Sequence, residues 1–142
     1  MQQANFYYRE AAARGASKVR LVVLLYEQII RDLNTALQAL EQNHIERRTE
    51  AINHAMTVIG HLQSTLDLQL EAPVVRHLGR FYTMLRARLI EAHARASRQI
   101  LQEQVAYLLE MREAWAEVDR VESETSAWPR TTASPAAANW EG

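Results

Sequence analysis

Cysteine is absent from this chain of 142 residues, and only four Gly and three Pro occur. Without cysteine there are no disulfides and no thiolate metal sites, which fits a reducing compartment. The shortage of Gly and Pro leaves few turn signals, so a few long helices are favoured over many short strands. The 16 basic and 17 acidic residues give a net charge of −1. The overall charge of the chain therefore does not favour binding to nucleic acid or to an anionic membrane.

Long apolar runs and targeting signals are also missing. The N-terminus, MQQANFYYRE, has no basic start followed by an apolar core, so no secretory signal is expected. The longest apolar run within residues 21–40 covers residues 21–26, far short of the roughly 20 residues that span a bilayer. We therefore expect a soluble, cytoplasmic protein without membrane insertion.

Motifs for catalysis and metal binding are not found either. The chain has no Gly-rich phosphate loop and no Gly-x-Ser-x-Gly elbow. A Glu-x-x-His pair occurs only at Glu41 and His44, at a helix end, whereas a di-metal bundle needs such pairs on two helices. The sequence therefore predicts a protein that is not an enzyme and has no catalytic residue, metal site or cofactor.

What the chain does contain is helical apolar periodicity, most clearly in residues 21–40. Its apolar residues recur at steps of three and four: Val22, Leu25, Ile29, Leu33, Ala36 and Leu40. This spacing places one side chain per turn on a common helix face. Because further apolar residues lie beside this face, one partner helix cannot cover it. Residues 21–40 therefore predict a central helix that packs against two or three others.

Three more stripes of the same kind follow, and together they define the predicted fold. They start at Ile45, Val74 and Leu101, and their later members include Leu66, Leu89 and Trp115. Four such helices with short connections predict an all-α, antiparallel up-down-up-down four-helix bundle. We expect it to span residues 17–122, after an N-terminal aromatic arm (1–16) and before a flexible, Ser-, Thr-, Ala- and Pro-rich C-terminal tail (123–142).

Capping residues set the expected helix boundaries. Ser17 and Ser97 are candidate N-caps, because a serine hydroxyl can accept an orphaned backbone N–H. Asn43 with Glu46 three residues later is a candidate capping box for the second helix. Gly60 interrupts that helix, and we attribute it to close packing.

Surplus apolar and aromatic residues are the strongest functional signal. Phe6, Tyr7 and Tyr8 are too close together all to face one core, and rings on a short polar arm dock onto a surface. The helices also carry more apolar residues than a four-helix core normally absorbs, so part of the excess is expected to line partner grooves. The predicted partner-binding residues are Phe6, Tyr7, Tyr8, Leu21, Leu24, Tyr26, Tyr82, Leu89 and Ile90.

The third helix is rich in arginine, which raises the question of nucleic acid. Between Pro73 and Arg98 there are six Arg and one acid, Glu91. However, these Arg residues are spread around the helix, and the acidic fourth helix is expected to lie beside it. No nucleic-acid partner is predicted.

Four segments in register resemble the FliS family of flagellar secretion chaperones. They read LVVLLYE at 21–27, LQSTLD at 62–67, RLIEA at 88–92 after Leu78 and FY at 81–82, and LEMREAW at 109–115. Their order and spacing match the family from about Tyr8 to Val121. The departures are Lys18 instead of Pro after Ser17, Glu27 instead of Asp, Thr83 and Met84 instead of Asp-Tyr, and Ser97 instead of Asp. They bear on which flagellin is bound more than on the fold.

The resemblance implies a specific function. A FliS-like bundle binds the disordered C-terminal segment of flagellin in the cytoplasm, prevents premature polymerisation, and delivers the client to a component of the flagellar export gate. It also implies that the N-terminal arm, with Tyr8, covers an apolar pocket until it is displaced. The residues themselves leave an alternative open: an adaptor or regulatory bundle without a flagellin client, which self-associates weakly through the same apolar surface.

Overall fold

The structure, a computed structural model, describes residues 18–66 and 72–140, with side chains for 18–66 and 73–124. It contains four helices in this part of the chain: α1 (Lys18–Glu41), α2 (Ile45–Thr65), α3 (Ala72–Arg95) and α4 (Arg98–Trp140). No strand occurs in the described ranges. The predicted all-α four-helix bundle is therefore confirmed.

Two tight connections of the same construction join α1 to α2 and α3 to α4. Asn43 (φ 55°), two residues after α1, and Ala96 (φ 51°), the first residue after α3, both adopt a left-handed backbone conformation. The amide of the next residue then bonds back to the preceding helix, from His44 to the Ala39 carbonyl (2.8 Å) and from Ser97 to the Ala92 carbonyl (2.9 Å). These are Schellman endings, which satisfy carbonyls that the helix leaves orphaned.

In each connection, the residue whose amide bonds back to the preceding helix is also the N-cap of the next helix. Ser97 caps α4 as predicted, because its hydroxyl accepts the amide of Ile100 at 3.1 Å. The predicted capping box at Asn43 is wrong: the N-cap of α2 is His44, whose Nδ1 accepts the amide of Arg47 at 3.3 Å. Asn43 does not cap α2, because its left-handed backbone conformation forms the turn after α1. The predicted cap Ser17 lies outside the described residues.

Helix α1 is the centre of the packing, in agreement with its wide apolar sector. It packs most extensively on α2 and α4, whereas α3 completes the bundle through smaller interfaces with α2 and α4. Side chains from all four helices form one core; its largest fully buried members include Tyr26, Leu33, Ile59, Leu62, Tyr82, Leu85, Leu89, Leu101 and Leu108.

Three ion pairs fix how α1 and α4 run relative to each other. Glu41 pairs with Arg98 (2.9 Å), Glu27 with Arg112 (3.2 Å), and Arg20 with Asp119 (3.4 Å). As the residue number falls along α1, it rises by a similar amount along α4, so these two helices run in opposite directions. The complete up-down-up-down order stays a prediction.

Helix α4 continues past the position where the sequence predicts a tail. Its backbone is helical to Trp140, although the pattern predicts a flexible segment from residue 123. The predicted N-terminal arm, residues 1–16, lies outside the described residues. The three-part division of the chain therefore stays a prediction. No helix in the described ranges has the length and apolar content needed to cross a membrane.

Candidate partner-binding site

Tyr26 and Tyr82, predicted to line a partner groove, are instead at the centre of the core. Their exposed fractions are 0% and 1%, their ring centroids are 6.3 Å apart, and their hydroxyls are joined by a 2.8 Å hydrogen bond. Burial raises the pKa of both phenols; hydrogen bonding to Tyr82 and Trp115 offsets this in part for Tyr26. The expectation of an open-groove location is wrong for this pair, because each hydroxyl satisfies the other inside the protein.

The other predicted binding residues fall into three groups. Leu21 and Leu89 are buried in the core: an open-groove location is wrong for Leu21, whereas Leu89 lies in the core as its place on the apolar stripe of the third helix predicts. Leu24 is half-buried against the same core, and Ile90 is exposed. Phe6, Tyr7 and Tyr8 lie outside the described residues. Whether any of these residues contacts a partner stays a prediction.

Large apolar side chains nevertheless remain on the surface. Among the described residues they are Ile45, Val74, Met84, Ile90, Tyr107, Leu109, Val118 and Val121, each at least 43% exposed. Most of them lie on α3 and α4. Contiguous apolar surface that the core does not absorb marks interaction sites in proteins of this size.

An open groove between α2 and α3 concentrates part of this surface. It has a volume of about 590 Å³. It is lined by Gln63 of α2, by Leu66 at the C-terminal cap of α2, and by Arg76, Gly79, Arg80, Thr83, Met84 and Ala87 of α3. Open space lies above Gly79, where an added Cβ would meet no atom within 4 Å. The missing side chain therefore leaves room for an occupant to approach the helix backbone.

The α3 wall of this groove is a regular stripe. Arg76, Arg80, Thr83, Ala87 and Ile90 follow one another at steps of four, three, four and three, so they share one helix face. All five are exposed, whereas the core face of α3 is formed by Leu78, Tyr82, Leu85, Leu89 and Ala92. We call the surface formed by the groove-lining residues and Ile90 the α2/α3 groove.

Charge is distributed unevenly along α3. Arg86 donates to the Met56 carbonyl at 3.1 Å and so ties α3 to α2, and Arg88 reaches Glu103 of α4 at 3.4 Å. Arg88 and Arg95 both bind Glu91 within α3. Among the described residues, no hydrogen-bonding or ionic partner is found for Arg76 or Arg80. Within the described part of the chain, the groove therefore carries two arginines without a partner and no acid among its lining residues.

A second polar cluster lies between α1 and α2, and it has the character of a structural contact. Asp32 accepts hydrogen bonds from Gln28 at 2.9 Å and contacts Nδ1 of His54 at 2.6 Å. The buried Nε2 of His54 has no hydrogen-bond partner. No Ser, Thr or Tyr hydroxyl bonds to this pair in the described ranges, which also hold no group of three or more potential metal ligands.

Comparison with known proteins decides the affiliation of the chain. The family model described as flagellar protein FliS matches residues 1–122. The chain belongs to the FliS family. This result confirms the resemblance seen in the sequence segments.

Several curated relatives of this FliS-family chain are called flagellar secretion chaperones. FliSB of Pseudomonas aeruginosa is 32% identical over 115 residues, which cover 81% of this chain and 91% of the relative. FliS of Bacillus subtilis is 27% identical over 108 residues (76% and 80%), and FliS of Salmonella typhimurium is 27% identical over 110 residues (77% and 82%). Each match covers most of both proteins.

Sequence reasoning identified Ile90 but missed the rest of the α2/α3 groove of this FliS-family chain. The sequence placed Arg76 and Arg80 among six arginines spread around the third helix, beside an acidic fourth helix. The four-three-four-three stripe that ends at Ile90 was the available signal. It could not be interpreted without knowing that α2 lies beside it and contributes Leu66, and that Gly79 faces open space.

Proposed function

We propose that this FliS-family chain is an export chaperone for flagellin. It binds the disordered C-terminal segment of flagellin in the cytoplasm, prevents premature polymerisation, and delivers the client to the flagellar export apparatus. The names of the curated relatives support an export-chaperone role. The binding surface we assign to the client is the apolar part of the α2/α3 groove together with the neighbouring exposed residues of α3 and α4.

The observation that carries this proposal is the excess of apolar surface on a bundle whose core is already filled. Leu78, Leu85 and Leu89 of α3 are buried in the core, yet Met84 and Ile90 on the same helix are exposed. A disordered client that folds on binding must offset an ordering cost of ~2–5 kcal/mol. Burial of its apolar side chains against such a surface can provide this free energy without any catalytic group.

Calorimetric titration with the C-terminal segment of the flagellin encoded by the same genome tests the proposal. We expect Ile90→Ser to weaken binding by about tenfold, because a buried isoleucine contributes ~1.5–3 kcal/mol and only part is lost. Ile45→Ser is the matched control, since Ile45 is 62% exposed and Ile90 59%, but Ile45 begins α2. Equal losses in both variants would argue against the surface assigned to the client.

Size-exclusion mass separates this function from the self-association alternative. An export chaperone forms a complex with one chaperone chain and the peptide, and any larger assembly dissociates when the peptide is added. A bundle that only self-associates keeps its mass in the presence of the peptide. Absence of peptide binding by the unmodified chain would refute the proposed function.

A further inference from the structure

We infer that the α2/α3 groove selects its occupant by charge as well as by apolar contact. The occupant that fits is an amphipathic helix of the client that carries two acidic side chains one turn apart, beside an apolar stripe. The identity of the occupant as the client rests on the proposed function. The chemistry of the occupant rests only on the groove.

The first step is the imbalance of charge at the groove. Arg76 and Arg80 are exposed and have no hydrogen-bonding or ionic partner among the described residues, whereas the other described arginines of α3 are engaged. The remaining lining residues in the described ranges are apolar or neutral, and none of them is acidic. A ligand that brings carboxylates would therefore gain attraction to Arg76 and Arg80 without displacing any ion pair formed by the described residues.

The second step is the geometry of the two cations. Arg76 and Arg80 are four residues apart on α3, so they are neighbours on its surface, with about 5–6 Å between Cβ atoms. A helix lying along α3 presents carboxylates at the same separation when its acids are also four residues apart. The spacing of the occupant's acidic residues is thus set by the helix that receives it.

The third step is the division of the groove into a charged part and an apolar part. Beyond Arg80 the exposed stripe continues through Thr83 and Ala87 to Ile90, flanked by Met84. From Arg76 to Ile90 the stripe is about 21 Å long at 1.5 Å per residue, which is enough for about four helical turns. An occupant should therefore carry its acids at one end of the contact and its apolar residues at the other.

A nucleic acid fits this surface less well than a peptide helix does. Binding to a phosphate backbone relies on several Lys or Arg contacts at once, and the groove offers two arginines. The apolar residues beyond them would remain uncovered by a phosphate backbone. An acidic amphipathic helix satisfies both parts of the groove at once.

The experiment uses the full chain and two designed 20-residue helical peptides with the same leucine stripe. One peptide carries two Glu four residues apart at one end, and the other carries two Lys at the same positions. We expect the unmodified chain to bind the Glu peptide about tenfold more tightly, because the Glu peptide gains two exposed ion pairs and the Lys peptide meets two like charges. The double substitution Arg76→Glu and Arg80→Glu should reverse this preference.

Two further variants test separately the effect of charge at Arg80 and the effect of the open space above Gly79. Arg80→Glu should weaken binding of the Glu peptide, whereas Arg47→Glu, an equal charge change at an exposed position of α2, should not. Gly79→Leu fills the open space above the α3 backbone and should abolish binding without lowering the melting temperature, because leucine favours the helix over glycine. Equal affinity for the Glu and Lys peptides would overturn the inference. RNA or anionic-vesicle binding that needs Arg76 and Arg80, without Glu-peptide binding, would overturn it too.

The flagellin segment, tested in parallel, distinguishes this inference from the proposed function. Flagellin binding that Gly79→Leu abolishes supports both. Flagellin binding that survives Gly79→Leu retains the chaperone function and overturns the groove as the client's site. Glu-peptide binding that Gly79→Leu abolishes, without any flagellin binding, retains the groove chemistry and overturns the chaperone function.

Discussion

Asp32 of α1 and His54 of α2 are joined by a 2.6 Å contact between a carboxylate oxygen and Nδ1. Gln28 donates to the other oxygen of the carboxylate at 2.9 Å. Burial raises the pKa of the Asp32 carboxyl above its ordinary value of 3.8, and the hydrogen bond and charge of His54 offset this only in part. The folded protein therefore holds the Asp32 proton more tightly than the unfolded chain does.

This relationship predicts a contribution to stability that depends on pH. Between 3.8 and the higher folded pKa, the folded state binds more protons, so the free energy of unfolding falls as the pH rises. Asp32→Asn cannot ionise, so the stability of the unmodified protein relative to this variant should decline as the pH rises through that window. Urea denaturation at a series of pH values measures the difference, with Glu50→Gln on the exposed surface as the control. Parallel stability curves for the unmodified protein and Asp32→Asn would show that Asp32 does not titrate differently on folding.

The hydroxyl pair of Tyr26 and Tyr82 predicts that two similar substitutions have coupled effects. Tyr26→Phe leaves the buried Tyr82 hydroxyl without its partner, so we expect a loss of about 1–3 kcal/mol in the free energy of unfolding. Tyr82→Phe should cost a similar amount, because it removes the same hydrogen bond and leaves the buried Tyr26 hydroxyl without it. The double variant should recover stability relative to Tyr26→Phe, since it leaves no orphaned hydroxyl of this pair. Chemical denaturation of the three variants forms a double-mutant cycle, and strictly additive losses would contradict this account.

Gly60 predicts a simple gain in stability. The sequence suggested that it permits close packing, but an added Cβ would meet no atom within 4 Å. Gly60→Ala should therefore raise the free energy of unfolding by about 1 kcal/mol, the difference in helix propensity. Gly79→Ala in α3 has equally open surroundings and provides a second test of the same reasoning. A loss of stability in Gly60→Ala would show that the glycine is needed for packing after all.

The helices themselves were predictable because each apolar stripe repeats at steps of three and four, and few Gly or Pro residues interrupt these segments. Ser97 was predictable for the same local reason, since a serine before an apolar stripe is a common N-cap. Asn43 was misjudged because its left-handed backbone conformation (φ 55°) belongs to the ending of α1, and an Asn that turns the chain looks the same in the sequence as an Asn that caps the next helix. Local sequence thus determined the elements well and their ends less well.

The location of individual side chains was harder to predict, because it depends on neighbours far away in the sequence. Tyr26 and Tyr82 have a polar hydroxyl that would favour the surface, and only their mutual contact across the bundle allows full burial. Arg76 and Arg80 are the opposite case. Their sequence context is that of ordinary solvated charges, and only the fold shows that Leu66 and Gly79 lie beside them. The sequence therefore predicted that an apolar partner-binding surface exists, but it did not predict which residues form it.

Removal of residues 1–14 tests the predicted role of the aromatic arm. If Phe6, Tyr7 and Tyr8 occupy an apolar groove of the free bundle, they lower apparent client affinity by the fraction of closed molecules. The truncated chain should keep its helices, self-associate more, and bind the flagellin peptide more tightly. Calorimetry and size-exclusion chromatography measure these effects, and a full-length chain with all three rings replaced by Ser should behave in the same way. If neither binding nor mass changes in either variant, the arm has no such role.

The pairing of α1 with α4 also sets the order in which the chain can complete its fold during synthesis. Helix α1 can form its hairpin with α2 early, but its ion pairs with Arg112 and Asp119 must wait until α4 has been made. Roughly 80 residues separate the end of α1 from that point, which takes about 4–16 s at ~5–20 residues per second. During this interval the wide apolar sector of α1 has only one of its two main partners. The nascent chain then exposes an apolar face that favours aggregation, and synthesis of α4 is the step that covers it.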